Sequence, residues 1–190
     1  SLGSGPDPFT INGTHGAATS ASQEETTLNT GAGADIVYIN SVTDLLFVNG
    51  QGDADTINVN GTANGTGAGS ASTLNGDGGN DIVNVKSISG AVTVNGGDGA
   101  DTVNVGSSAA GTVATPNANT GGTVNAIGAL LTFNGDGGTA DVLNVDDTGD
   151  NNANVGTLTT TTLSGLDMTG SIAYGTVETL TGFHEQSIAN

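Results

Sequence analysis

The chain has 190 residues, 34% hydrophobic and 3% aromatic, with 33 glycines, nineteen acids and a single Lys or Arg, Lys86, giving a formal charge of −18. That inventory excludes a thick core of large side chains, internal neutralisation by salt bridges, and the Lys/Arg surfaces that nucleic acid and anionic membranes require. With no cysteine there is no disulfide framework and no thiolate metal site, so any metal would be a hard cation held by oxygen.

In chain order the same phrase returns. It opens with Gly3-Ser-Gly-Pro-Asp7 and continues as Gly31-Ala-Gly-Ala-Asp35, Gly50-Gln-Gly-Asp-Ala-Asp55 and Gly76-Asp-Gly-Gly-Asn-Asp81. Gly97-Asp-Gly-Ala-Asp101 and Gly135-Asp-Gly-Gly-Thr-Ala-Asp141 complete the series. The anchoring aspartates lie 28, 20, 26, 20 and 40 residues apart, which describes a 20-residue unit with optional additions.

A short strand is expected on each side of every Gly turn. Before it stand Thr27–Asn29, Leu46–Asn49, Thr73–Asn75, Val92–Asn95 and Leu131–Asn134. After it, apolar residues two and four positions past the anchor form columns: Phe9/Ile11, Val37/Ile39, Ile57/Val59, Val83/Val85, Val103/Val105 and Leu143/Val145. Period-2 alternation turns these columns inward and sends Thr10, Tyr38, Asn58, Asn84, Asn104 and Asn144 to solvent. Asn29, Asn49, Asn75, Asn95 and Asn134 are expected to stack as a ladder at the bend.

A column of like apolar residues recurring once per unit needs neighbours above and below to be buried. The expected fold is therefore all-β, a parallel β-helix or β-solenoid of about six to eight coils, two main strands per coil, with Gly-Asp turns stacked on one edge. It forms one domain over residues 1–190, regular through 145 and irregular from 146 to 190. The long additions, Gly61–Ser72 and Gly106–Ala129, read as surface loops leaving that body. Thr157–Leu166 and Ser171–Phe183 read as further strand pairs without the turn.

Thr176–Thr181 resembles a pre-turn strand lacking its turn, and Leu2–Asp7 a turn lacking its strand. The ends therefore imply self-association end to end, or tandem copies within a longer chain. A start at Ser1 rather than Met reads as an excerpt or a processed product. No apolar run approaches the roughly 18 residues of a spanning helix, and no signal segment is visible.

Acids concentrate at the turns: Asp35, Asp53, Asp55, Asp77, Asp81, Asp98, Asp101, Asp136 and Asp141. Parallel stacking would place like charges about 4.8 Å apart, a repulsion of roughly 3 to 4 kcal/mol per contact at an effective dielectric of 20. Calcium (Ca2+) relieves it best, because it accepts six to eight oxygens, including carbonyls that glycine exposes. The plainer alternative is that Gly-Asp-Gly makes tight turns whose carboxylates splay into solvent.

The phrase resembles the haemolysin-type (RTX) calcium-binding repeat G-G-x-G-x-D-x-U-x, matched in full by Gly96–Asn104. The resemblance implies secreted, bacterial-type proteins whose stacked turns hold calcium. It carries ligand positions onto Gly97, Gly99 and Asp101, and onto Gly31, Gly33 and Asp35. The chain departs from it in having one phrase per unit and one or two extra residues in three turns. More broadly, Asp141–Gly149 and Thr176–Leu180 resemble the repeat arrays of giant bacterial surface and adhesin-like proteins.

An enzyme is not expected. Uronate chemistry needs bases, and Lys86 stands alone. His15 and His184 have no partner motif, and Asp53/Asp55 or Asp146/Asp147 would make a glycosidase pair with little aromatic surface for a sugar. Asp147-Thr-Gly149 matches the aspartic-protease triplet as a single copy only. The outward column Pro8, Ile36, Thr56, Ile82, Thr102 and Val142 is too mixed for an ice-binding face. The sequence thus points to a non-enzymatic extracellular structural protein, a surface, matrix or filament building block. The alternative is an adhesin module whose loops bind a polysaccharide or cell-surface ligand.

Overall fold

The computed structural model describes residues 2–14, 25–61, 71–182 and 188–189. His15, His184, Phe183 and residues 62–70 of the first long addition lie outside them. In chain order the strands are β1 (Pro8–Ile11), β2 (Glu25–Ala32), β3 (Ile36–Ile39), β4 (Leu45–Gly52), β5 (Thr56–Val59), β6 (Ala71–Gly78), β7 (Ile82–Val85) and β8 (Ala91–Asp98). There follow β9 (Thr102–Val105), β10 (Leu130–Asp136), β11 (Val142–Val145), β12 (Gly156–Leu158), β13 (Thr162–Gly165), β14 (Ser171–Gly175), β15 (Thr179–Thr181) and β16 (Ile188–Ala189). The fold is all-β, and the described residues include no helix.

Successive strands alternate between two sheets. One runs β1-β3-β5-β7-β9-β11-β15 and the other β2-β4-β6-β8-β10-β14-β13-β12-β16. Every pair in the first is parallel, and so is the second from β2 to β14. Register follows the repeat: Val37, Ile57, Val83, Val103 and Leu143 are partners across the first sheet, while Asn29, Asn49, Asn75, Asn95 and Asn134 align across the second.

Between the sheets lies one continuous apolar cluster. It is built from the expected columns together with Leu46, Val48, Leu74, Val92, Val94, Leu131 and Phe133. Because each side chain is small, burial comes from repetition, each Val or Leu contributing roughly 1.5–3 kcal/mol. Phe9 occupies the inward register opposite Val37, yet it is 37% exposed, because β1 is an edge strand covered on one side only.

Polar ladders fix the register. Asn49, Asn75, Asn95 and Asn134 each donate Nδ2–H to Oδ1 of the Asn one repeat earlier, at 2.7, 2.8, 2.8 and 2.9 Å. A second ladder runs Asn84→Asn58, Asn104→Asn84 and Asn144→Asn104, and a third runs Asn40→Asn12 and Asn60→Asn40.

Three expectations need correction. Asn84, Asn104 and Asn144 are buried rather than solvated. For the first two the cause is the addition between β9 and β10, which folds back over the first sheet instead of leaving it. Gly111 N–H donates to Asn84 Oδ1 at 2.7 Å, and Asn84 and Asn104 donate to the carbonyls of Gly111 and Pro116. Next, the region after β11 is not a simple continuation, because β12, β13 and β14 pair antiparallel. Finally, Thr176–Thr181 is not a pre-turn strand. β14 takes that place beside β10, and β15 is the post-turn strand beside β11.

Candidate metal centre: the stacked Gly-Asp turns

Each turn joins a strand of the second sheet to one of the first, so parallel pairing on both sides stacks the turns. The anchoring aspartates form an inner row. Asp35, Asp55, Asp81, Asp101 and Asp141 are each at most 2% exposed. The row is bonded lengthwise: the N–H groups of Asp7, Asp35, Asp55, Asp81 and Asp101 donate to Oδ1 of the next anchor at 2.7–2.8 Å. Asp141 N–H reaches Glu178 Oε2 at 2.7 Å, so Glu178 closes the row. Its part was foreshadowed only by the position of Thr176-Val-Glu-Thr-Leu180 after the last full turn.

The second oxygen of every buried anchor has no partner: Oδ2 of Asp35, Asp55, Asp81, Asp101 and Asp141 is buried without a hydrogen bond. A Cβ built on Gly50 would lie 2.5 Å from Asp55 Oδ2 and 2.6 Å from the Gly76 carbonyl oxygen. Two acceptors therefore border the same methyl-sized space. The arrangement recurs at Gly76 with Asp81 and the Gly96 carbonyl, at Gly96 with Asp101 and the Gly135 carbonyl, and at Gly135 with Asp141 and the Thr176 carbonyl. At the equivalent of these glycines in the earlier repeat stands Thr30, whose hydroxyl donates to the Gly50 carbonyl at 2.8 Å. The later repeats supply no such donor among the described residues.

Burial, opposed by the incoming N–H and reinforced by neighbouring carboxylates, pushes Asp55 up to about 7, Asp81 to about 6 and Asp101 to about 7. Asp141 is raised for the same reasons, with Glu178 and Asp136 as the neighbouring charges. A buried acceptor facing another acceptor requires a proton or a cation between them.

The remaining acids form an outer, exposed row: Asp53, Asp77, Asp98 and Asp136. Asp53 Oδ2 accepts from Gly33 N–H at 2.9 Å and Asp77 Oδ2 from Gln51 N–H at 3.1 Å. Asp77, Asp98 and Asp136 share an open depression with Asn75, Asn95, Gly97 and Gly137. Gly31, Gly33, Gly97 and Gly99 have φ of 120°, 109°, 100° and 150°. At Gly97 and Gly99 glycine is also required by space, since a Cβ would strike the backbone of Asp77 and of Gly79. The Gly97 and Gly99 carbonyls each accept one N–H from the following turn at 3.1 Å, leaving each a second lone pair.

The donor set is all oxygen, which suits calcium. No three Asp, Glu, His or Cys side chains among the described residues are arranged to hold a metal ion. A cation in the turns would thus draw on one buried carboxylate oxygen and on main-chain carbonyls. No family model matches the chain, and neither a curated protein nor a solved structure is found to be similar to it.

Proposed function

We propose that the chain is a calcium-stabilised parallel β-solenoid, its two alternating sheets forming the walls of successive coils. It would serve as a non-enzymatic extracellular building block of a surface, matrix or filament. One observation carries the reading: a row of buried carboxylates whose free oxygens face carbonyls with no donor between them. Calcium placed there neutralises the row and bridges consecutive repeats, with Asp53, Asp77, Asp98 and Asp136 supplying an outer layer of charge. The anchors are engaged in main-chain bonding along the stack, which suits a structural role better than proton transfer. Secretion and a bacterial surface setting rest on the repeat's resemblance.

End-to-end assembly would use the terminal strands β1 and β2 at one end, where Leu2 and Gly3 already cover β2 over residues 30–32. At the other end β13 and β12 close one sheet antiparallel, so pairing there would run through β15. Calcium titration with thermal melting tests the metal: calcium should raise the transition and chelator lower it, and an unchanged transition refutes the reading.

A second reading, a ligand-binding module of an adhesin, has one observation in its favour. Beside residues 110–114 of the folded-back segment, a cleft of about 400 Å³ opens over the first sheet, lined by Ile36, Tyr38, Asn58, Lys86, Thr112 and Val113. Tyr38 and Val113 are 39% and 47% exposed there, beside the chain's single ammonium. Screening acidic and neutral oligosaccharides against wild type and Tyr38→Ala distinguishes the two: no binding by either protein discards this alternative.

A further inference from the structure

Residues 146–155 join β11 to β12 and contain acids that belong to no Gly-Asp turn. Asp146, 1% exposed, has both oxygens engaged. Oδ2 accepts from Gly122 N–H at 2.6 Å, and Oδ1 accepts from the N–H and hydroxyl of Thr148. Its neighbour differs. Asp147 is 3% exposed, receives the Val124 N–H at 3.2 Å on Oδ1, has the Asn154 side chain as a polar neighbour, and leaves Oδ2 buried without a hydrogen bond.

A second orphan lies in the same loop. Asn154 donates Nδ2–H to Asp150 Oδ2 at 3.1 Å, which leaves its own Oδ1 buried and unpartnered. Asp150 N–H donates to the Asp147 carbonyl at 3.2 Å, closing a turn that brings the two acids together. Burial raises the Asp147 pKa; the Val124 N–H opposes it, the Asp150 charge adds to it, the Asn154 side chain opposes it and the Asp146 charge adds again. Lys86, the chain's only Lys or Arg, makes no ion pair with any of these groups among the described residues.

We propose that this loop is a separate divalent-cation site, with Asp147 Oδ2, the Asp150 carboxylate and Asn154 Oδ1 as side-chain ligands and calcium as the fitting ion. Two buried oxygens lacking donors, plus the Asp150 carboxylate, whose Oδ1 accepts the Asn152 N–H at 2.7 Å and whose Oδ2 accepts the Asn154 amide while each keeps a further lone pair, form a hard, anionic set from short side chains within eight residues. Carbonyls and water complete calcium's six to eight ligands, whereas magnesium's octahedron fits an irregular loop poorly. Asp146 and Asp147 are tied to Gly122 and Val124 of the folded-back segment. The ion would therefore clamp that segment to the point where regular parallel pairing gives way to the antiparallel strands. The site does not depend on calcium in the Gly-Asp turns.

The test uses the whole chain, stripped with chelator, and calcium alone as the probe. Amide NMR of the wild type should show Gly122, Val124, Asp147–Asn154 and the Asn154 side-chain amide shifting on calcium addition. Equilibrium dialysis should show one fewer ion bound by the Asp147→Asn/Asp150→Asn double variant. Signals of this loop that stay in place at saturating calcium overturn the proposal, as does a folded double variant with its full ion complement. If the variant does not fold, the wild-type shifts decide. Shifts confined to the Gly-Asp turns overturn this site and leave the turns' reading intact; shifts confined to this loop do the reverse.

Discussion

Asparagine in place of Asp55 is nearly isosteric and separates the two demands on that side chain. Its Oδ1 still accepts the Asp35 N–H, now 2.7 Å away, while the unpartnered Oδ2 becomes an amide that donates toward the Gly76 carbonyl. In the native chain burial holds Asp55 near 7 against an ordinary 3.8, so the folded state binds this proton more tightly than the unfolded state does. Its stabilising contribution is complete below about 3.8 and is lost as pH rises through about 7. One pKa unit corresponds to about 1.4 kcal/mol. With the penalty shared among neighbouring charges, Asp55→Asn should gain on the order of 2 to 3 kcal/mol at pH 8 in chelator. At roughly 2–4 °C per kcal/mol for a chain of this size, that is a rise of about 4–12 °C in melting temperature. Melting followed by circular dichroism at about pH 3 and pH 8, on either side of the two pKa values, gives the answer. The variant should match wild type at the acid end, exceed it at the alkaline end, and respond less to calcium. A variant less stable than wild type at pH 8 in chelator refutes the reasoning.

The wild type itself should lose stability without calcium as pH climbs from about 4 through 7, because Asp55, Asp81 and Asp101 all bind protons more tightly when folded; a chelated melting temperature that rises over this window contradicts it. Gly76→Ala pushes a methyl group into Asp81 Oδ2 and the Gly96 carbonyl, and should cost on the order of 2 to 4 kcal/mol by denaturant titration. Asn84→Ala removes bonds to Asn58 and to both main-chain groups of Gly111. It should cost about 2 to 4 kcal/mol and open the segment over the first sheet to limited proteolysis, cleavage appearing between Gly106 and Ala118.

The parts of the architecture visible in the sequence were those enforced by period 2. Val83/Val85 and Val103/Val105 declare an inward column, and the Asn before each Gly turn declares a ladder, because each residue needs its like one repeat away. The fate of Asn84 and Asn104 was hidden for a different reason. Alternation says which face a side chain takes, not whether a distant segment will cover that face, and Gly106–Ala129 carries no periodicity of its own to betray its path. The antiparallel turn at β13 was likewise invisible, since Thr162–Gly165 reads as a strand in either direction. At the turns, composition located the acids but could not separate inner from outer. Asp53 and Asp55 differ by two residues in sequence, yet one is exposed and the other 1% exposed.

That division bears on why the inner row is acid at all. Its structural task is to accept one N–H per repeat, and a neutral asparagine does this without the cost of burying charge. Asparagine would also supply the missing donor to the facing carbonyl, and the neighbouring ladders already rely on it at Asn75, Asn84 and Asn95. Asp nevertheless occupies all five buried anchor positions, and Glu178 supplies a carboxylate even where the turn is shorter. A carboxylate gains over an amide only when something positive occupies the space it faces. Below about pH 6 a proton meets that need; above it the proposed calcium would do so, in a chain with a single Lys or Arg. The identity of the inner row is thus itself an argument for calcium, and the asparagine variant is the direct way to measure it.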